Sequence, residues 1–65
     1  MIIRPDDMAK VGYCAAGVRR WFIANGLDFR DFIKNGIDAD VLIATGDALT
    51  QRVIDAKIAR ESVDE

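Results

Sequence analysis

The sequence FIANGLD at residues 22–28 returns as FIKNGID at 32–38 and, less closely, as LIATGDA at 42–48. In the first two copies a glycine follows the apolar end of a predicted helix, and an apolar residue and an aspartate come next. Glycine is favoured just past a helix C-terminus, and the apolar residue after it packs back onto the last helical turn. Aspartate is a strong N-cap for the helix that follows. The repeat therefore predicts short helices joined by tight corners.

These corners assign roles to particular residues. Gly26 and Gly36 are predicted to have positive φ, and Asp28 and Asp38 to cap the helices that follow them. In the third copy the predicted corner is Gly46-Asp47, with no apolar residue between the two. Two interpretations remain for it. The helix ends at Gly46 and a new one is capped by Asp47, or one helix continues through with a bend.

The fold class predicted from the sequence is all-α. Apolar residues recur at spacings of three and four, and no stretch alternates as a strand would. We expect one domain over residues 1–65, a small bundle of four to five short helices. The longest helices should lie at about 13–25 and 47–61, with an extended arm at 1–4 and a frayed acidic tail at 62–65.

Composition excludes several kinds of site. The chain has 65 residues, one cysteine and no histidine, so an internal disulfide is impossible and a classical zinc site is not expected. Asp38 and Asp40 are too few for a calcium loop, and no phosphate-loop signature is present. Cys14 falls on the apolar stripe of the main predicted helix, which indicates a buried, inert thiol. We therefore expect a non-enzyme with no catalytic, cofactor-binding or metal-binding residues and no small-molecule substrate.

The N-terminal sequence has no signal peptide and the chain no membrane-spanning run, so a cytoplasmic protein is expected. Self-association or a protein partner would add stability to a domain of this size. Charge is unevenly distributed along the chain. Residues 1–34 carry six basic and four acidic side chains, whereas residues 35–65 carry three basic and seven acidic ones. One interpretation is a solvated surface with an acidic tail. The other is a subunit whose basic side meets the acidic side of a neighbour.

Trp21 has two interpretations, as a core residue or as an interface anchor. In the second, Arg19, Arg20 and Trp21 form a candidate interface, because tryptophan and arginine are enriched in binding hot spots. A helix-turn-helix over residues 32–53 is a weaker alternative. Its second helix would be apolar and acidic, and the pI near 4.9 does not suit nucleic acid.

A further set of positions is Cys14-x-x-Gly17-x-x-x-Trp21-Phe22, then Gly26-Leu27-Asp28, Phe32, Gly36-Ile37 and Thr45-Gly46-Asp47-Ala48. This pattern, within residues 5–59, resembles short proteins encoded in tailed phages and prophages. Less closely, the chain resembles sterile-alpha-motif interaction domains. The first resemblance implies a small helical protein of virion assembly, acting by protein–protein contact at the head–tail junction or in the tail. The alternatives are a phage-encoded factor that binds and inhibits a host protein, and a small DNA-binding regulator.

Overall fold

A computed structural model describes residues 1–62, and Val63, Asp64 and Glu65 of the expected acidic tail lie outside the described residues. The described chain is predominantly helical. Its elements, in chain order, are β1 (Ile2–Ile3), α1 (Pro5–Lys10), α2 (Ala15–Ala24), α3 (Phe29–Asn35), β2 (Ile37–Asp38), α4 (Ala39–Ala44) and α5 (Ala48–Ser62). The longest helices are α2 and α5, in the places where the sequence predicts them.

The strands β1 and β2 form a two-stranded antiparallel sheet that the sequence analysis does not predict. Ile2 pairs with Asp38 and Ile3 with Ile37, and Ala39 N–H donates to the Met1 carbonyl at 2.9 Å. The prediction of no strands is wrong here because two residues are too few to show alternation. The extended N-terminal segment is thus held by the body of the domain, with Ile3 fully buried.

Each copy of the repeated segment gives one side chain to the core and one to the surface. The first residues, Phe22, Phe32 and Leu42, are buried, and the two phenylalanine rings stack at 4.5 Å. The second residues are exposed isoleucines: Ile23, Ile33 and Ile43. Ile33 does not share the buried face of Phe32, because adjacent helical residues lie about 100° apart. The remaining buried apolar residues are Ile3, Met8, Val18, Ala39, Val53 and Ile54.

The first two copies end their helices differently. Gly26 has φ 68°, and Leu27 N–H donates back to the Phe22 carbonyl at 2.9 Å, the long hydrogen bond of a Schellman ending. Gly36 also has positive φ, 75°, but its ψ of −173° sends the chain into β2. Ile37 therefore pairs with β1 instead of folding back onto α3, which corrects the prediction of an apolar anchor there.

The third copy breaks the helix. Thr45 is the C-cap of α4, Gly46 has φ 70°, and α5 begins at Ala48. The Thr45 hydroxyl donates to the Leu42 carbonyl at 2.7 Å. The structure agrees with the interpretation in which one helix ends at this corner and a new one begins, and not with a continuous bent helix.

A buried aspartate joins the two ends of the chain. Asp7 accepts hydrogen bonds from Arg4 N–H at 2.8 Å, Lys57 Nζ at 3.0 Å and Arg60 Nη2 at 2.7 Å. Lys57 also donates to the Ile2 carbonyl at 2.7 Å. Burial alone would raise the pKa of Asp7, but the Arg4 hydrogen bond and the two cations outweigh it and hold the pKa below its ordinary value of 3.8. The Asp7 cluster, defined by these residues, thus fixes α1 and β1 against α5.

Candidate protein-interaction groove

An open apolar groove of about 290 Å³ lies between α2 and the beginning of α5. The loop from α1 to α2 closes one end of it. Its lining residues are Met8, Gly12, Tyr13, Cys14, Gly17, Val18, Trp21, Leu49 and Thr50. Nearly every lining side chain is apolar or aromatic, so a complementary apolar surface would displace water from the groove favourably.

Local sequence explains why the groove is open along α2. Gly17 has no side chain, and a Cβ at that position would contact Cys14 Sγ at 3.2 Å. Cys14, Gly17 and Trp21 follow one another at helical spacing, so they present one face of α2. The small residue in the middle of that face leaves the depression between the thiol and the indole ring.

Cys14 is exposed, which contradicts the prediction of a buried thiol. Helix α2 begins at Ala15, so Cys14 is its N-cap and Sγ accepts from Gly17 N–H at 3.3 Å. The prediction is wrong because it starts the helix at Tyr13, two residues early, and so gives the cysteine a helical position inside the apolar stripe.

Trp21 is half-buried, so it is neither wholly a core residue nor wholly a surface one. One side of the indole packs edge-on against Phe22 in the core at 5.5 Å, and the other lines the groove. Its Nε1–H donates to Asp47 Oδ2 at 2.7 Å. This hydrogen bond joins α2 to the corner between α4 and α5, at one end of the groove.

Asp47 is a predicted corner residue that does not itself line the groove but accepts a hydrogen bond from a side chain that does, Trp21. Its Oδ1 accepts from Leu49 N–H at 2.9 Å, which caps α5. The indole hydrogen bond, followed by this backbone one, holds the pKa of Asp47 below its ordinary value. The sequence indicates the cap, but it gives no signal for the tryptophan, which is 26 residues away along the chain.

Arg19 and Arg20, the two arginines of the predicted interface, lie on different parts of the surface of α2. Both are exposed. Neither is among the residues that line the groove. Arg20 lies one helical turn from Gly17, whereas Arg19 lies one turn from Ile23. Arg52, which the sequence does not single out, lies beside a groove residue: its guanidinium carbon is 6.0 Å from the centre of the Tyr13 ring.

The remaining corner residues serve the helices and do not line the groove. Asp28 accepts from Asp31 N–H at 3.0 Å and Asp38 accepts from Asp40 N–H at 2.9 Å, so they cap α3 and α4. Gly26, Gly36 and Gly46 lie at helix ends. We therefore assign these residues to folding and not to binding.

Metal-binding, nucleic-acid-binding and membrane-spanning features gain little support from the described residues. Within residues 1–62, no three histidine, cysteine, aspartate or glutamate side chains come together as metal ligands would. In the helix-turn-helix alternative over residues 32–53, polar side chains at the start of α5 could contact bases, but Thr50 is buried and its hydroxyl donates to backbone carbonyls. Gln51 donates to Asp55 at 2.9 Å. Over the same residues, the helices are all too short or too polar to cross a bilayer.

Comparison with known proteins gives no match to a family model, to a curated protein or to a solved structure.

Proposed function

We propose that this chain is a non-enzymatic assembly protein of a tailed phage or prophage, acting through protein–protein contacts at the head–tail junction or in the tail. The observation that carries the proposal is the open groove between α2 and α5. Its walls hold Tyr13 and Trp21, and the guanidinium group of Arg52 lies 6.0 Å from the centre of the Tyr13 ring. Tryptophan, tyrosine and arginine are the residues most enriched in protein-binding hot spots.

The surface outside the groove supports the same reading. Within residues 1–62, seven large apolar side chains outside the groove are 42% or more exposed, which gives a small domain several places where a neighbouring subunit can bury apolar area. They are Met1, Ile2, Ile23, Ile33, Val41, Ile43 and Ile58. An assembled protein would cover part of this surface.

The chemistry of the chain also favours binding over catalysis. No histidine is present to act as a base for Cys14. The charged carboxylate with the most partners, Asp7, is used in the Asp7 cluster. The phage resemblance of the sequence supplies the setting: synthesis in the bacterial cytoplasm, followed by incorporation into the particle.

The test compares Leu49→Glu with Ile23→Glu in purified particles of the phage that encodes the chain. Leu49 lines the groove and is 50% exposed; Ile23 lies on the far side of α2 and is 62% exposed. Both variants should therefore fold, as circular dichroism would check. We expect Leu49→Glu to lower the amount of the protein per particle about ten-fold, because a buried interface rejects an unpaired charge, and Ile23→Glu to leave it unchanged.

The proposal fails if the wild-type protein is absent from purified particles and remains a monomer when mixed with the virion proteins. A wild-type protein that is absent from particles but binds one host protein through the groove would favour the host-directed alternative.

A further inference from the structure

We propose that the groove binds one amphipathic helix of a partner protein, with an acidic residue of that helix beside Arg52 and a basic residue beside Asp47. The inference rests on the proposed function and names the chemistry of the partner. Two observations carry it. Charges of opposite sign lie beside the two aromatic residues of the groove, and the hydrogen-bond donors of the groove walls are already in use.

The charges belong to residues next to the groove. Within residues 1–62, no charged residue lines the groove itself. The guanidinium carbon of Arg52 is 6.0 Å from the centre of the Tyr13 ring, and Asp47 Oδ2 accepts from Trp21 Nε1–H at 2.7 Å. Neither charge takes part in an ion pair in this part of the chain. Each carboxylate oxygen can accept more than one hydrogen bond, so Asp47 can still bind a cation.

The two charges lie toward opposite ends of the groove. Tyr13 directly precedes Cys14, the N-cap of α2, whereas Trp21 lies two helical turns beyond that cap. Two turns of helix span about 10 Å. A partner helix in the groove can therefore present an acid to Arg52 and, two turns further on, a base to Asp47, with apolar side chains on the same face between them.

The groove walls favour a helix over an extended segment. The Tyr13 hydroxyl donates to the Leu49 carbonyl at 3.2 Å, the Thr50 hydroxyl donates to backbone carbonyls, and the indole N–H is held by Asp47. These side chains therefore offer no free N–H or O–H to the backbone of a ligand. An extended segment would leave polar backbone groups unpaired against an apolar wall, whereas a helix satisfies them internally.

The size of the groove sets the expected affinity. One helix face on a groove of about 290 Å³ buries little area, so binding should be weak. An exposed ion pair changes an affinity by up to about five-fold. Replacing an attractive pair with a repulsive one has a larger effect, so we expect about five-fold or more between matched and mismatched charges at low salt. Added salt should reduce this preference.

The first experiment uses Trp21, the single tryptophan of the chain, as a fluorescent reporter of the groove. The probes are alanine-rich peptides of about 15 residues, long enough for partial helix formation. Each has a central pair of leucines, and the positions one turn before and one turn after them are Glu and Lys, Lys and Lys, Glu and Glu, or Gln and Gln. At low salt, the wild type should bind the Glu–Lys peptide about five-fold or more tightly than the Lys–Lys peptide.

The second experiment reverses one charge. Arg52→Glu should make the Lys–Lys peptide the tightest ligand, because acids then lie at both ends of the groove. Arg30→Glu makes the same change of net charge on α3, none of whose residues lines the groove, and should leave the order of the peptides unchanged. Leu49→Glu places a charge inside the groove and should weaken binding of the Glu–Lys peptide about ten-fold. Circular dichroism would check that all three variants fold.

The inference is supported if the wild type prefers the Glu–Lys peptide and Arg52→Glu prefers the Lys–Lys peptide. It is overturned if no peptide binds, if all bind equally well, or if Arg52→Glu changes their order no more than Arg30→Glu does. Trp21 emission that changes when the chain alone is concentrated would assign the groove to a second copy, and would also overturn it.

The amount of the protein in purified particles is an independent measurement. A chain that enters particles through the groove but shows no charge preference among the peptides keeps the assembly function and loses this inference. A chain that is absent from particles but shows the predicted preference keeps the helix-binding groove and loses the assembly function.

Discussion

Two aspartates join distant parts of this chain, and their surroundings are opposite. Asp7 is 6% exposed and is held by a backbone amide and two cations. Asp47 lies at an exposed corner and accepts the indole N–H of Trp21 at the end of an open groove. The Asp7 region is closed to solvent, and the hydrogen-bond and ion-pair partners of the Asp7 carboxylate all belong to this chain. The Asp47 region leaves apolar surface uncovered, and so can gain from a partner.

This contrast indicates that changes near Asp7 should act on folding and changes near Asp47 on binding. The predictions below test that division, from the largest expected effect to the smallest.

The largest effect is expected at Gly36, beside β1 in the closed region. A Cβ there would lie 2.6 Å from Ile2 Cγ2 and 2.9 Å from the Ile3 carbonyl oxygen, with φ at 75°. We expect Gly36→Val to lower the free energy of unfolding by about 4 kcal/mol or more, enough to unfold a marginally stable domain. Circular dichroism measures this. The control is Gly26→Val, where φ is 68° but no atom lies within 4 Å.

Gly26→Val should cost about 1–3 kcal/mol from backbone strain alone. Equal losses at the two glycines would show that the contact with β1 contributes nothing, and a fully folded Gly36→Val variant would refute the account of this corner.

The next effect is at the Asp7 cluster. Asp7→Asn keeps the shape of the side chain but leaves Lys57 and Arg60 without a counter-charge. We expect a loss of about 2–3 kcal/mol in urea unfolding, somewhat below the range for fully buried pairs because both cations keep contact with water. Asp6→Asn is the control, since its pair with Lys10 is exposed and should contribute less than about 0.5 kcal/mol. Similar losses in the two variants would contradict a closed cluster.

The same cluster predicts acid sensitivity. The pKa of Asp7 is lower in the folded protein than its ordinary value of 3.8, so the unfolded chain takes up its proton at a higher pH. The stabilisation is therefore complete above the ordinary pKa and is lost as the pH falls from about 5 through the folded pKa. Urea unfolding across this range should show a shallower decline for Asp7→Asn than for the wild type. Parallel curves would rule out Asp7 as a source of acid sensitivity.

The smallest effect on folding is expected at the open region. Asp47→Asn keeps one acceptor oxygen and replaces the other with an NH2 group, so it can hold the hydrogen bond from Leu49 N–H or the one from Trp21 Nε1–H but not both. Neither donor carries a formal charge, so thermal unfolding should still change less than for Asp7→Asn. Trp21→Phe removes the indole donor and part of the groove wall. It should lower the amount of the protein in purified particles by a larger factor than it lowers the folding equilibrium constant, whereas the reverse order would place Trp21 among the residues that act mainly in folding.

The sequence predicts the local features of the fold well. Helix ends, caps and the positions of α2 and α5 follow from glycine, aspartate and apolar spacing, which act between near neighbours. The helix break at Gly46 was one of two stated interpretations.

What the sequence does not predict depends on distant contacts. Strands β1 and β2 pair Ile3 with Ile37. Asp7 forms ion pairs with residues of α5, and Asp47 accepts a hydrogen bond from Trp21. None of these has a local signal, because two-residue strands and single polar pairs leave no period in the sequence. The groove is missed for the same reason, although Trp21 was a candidate interface residue.

The most direct test of the account is a ¹⁵N–¹H correlation spectrum of the wild-type chain, recorded with increasing amounts of the virion proteins of the phage that encodes it. If the groove binds one of these proteins, the amide signals that shift or broaden most should be those of groove residues such as Gly17 and Leu49. The signal of Lys10 in α1 should change least. Shifts confined to residues outside the groove, or a spectrum unchanged by every virion protein, would contradict the account.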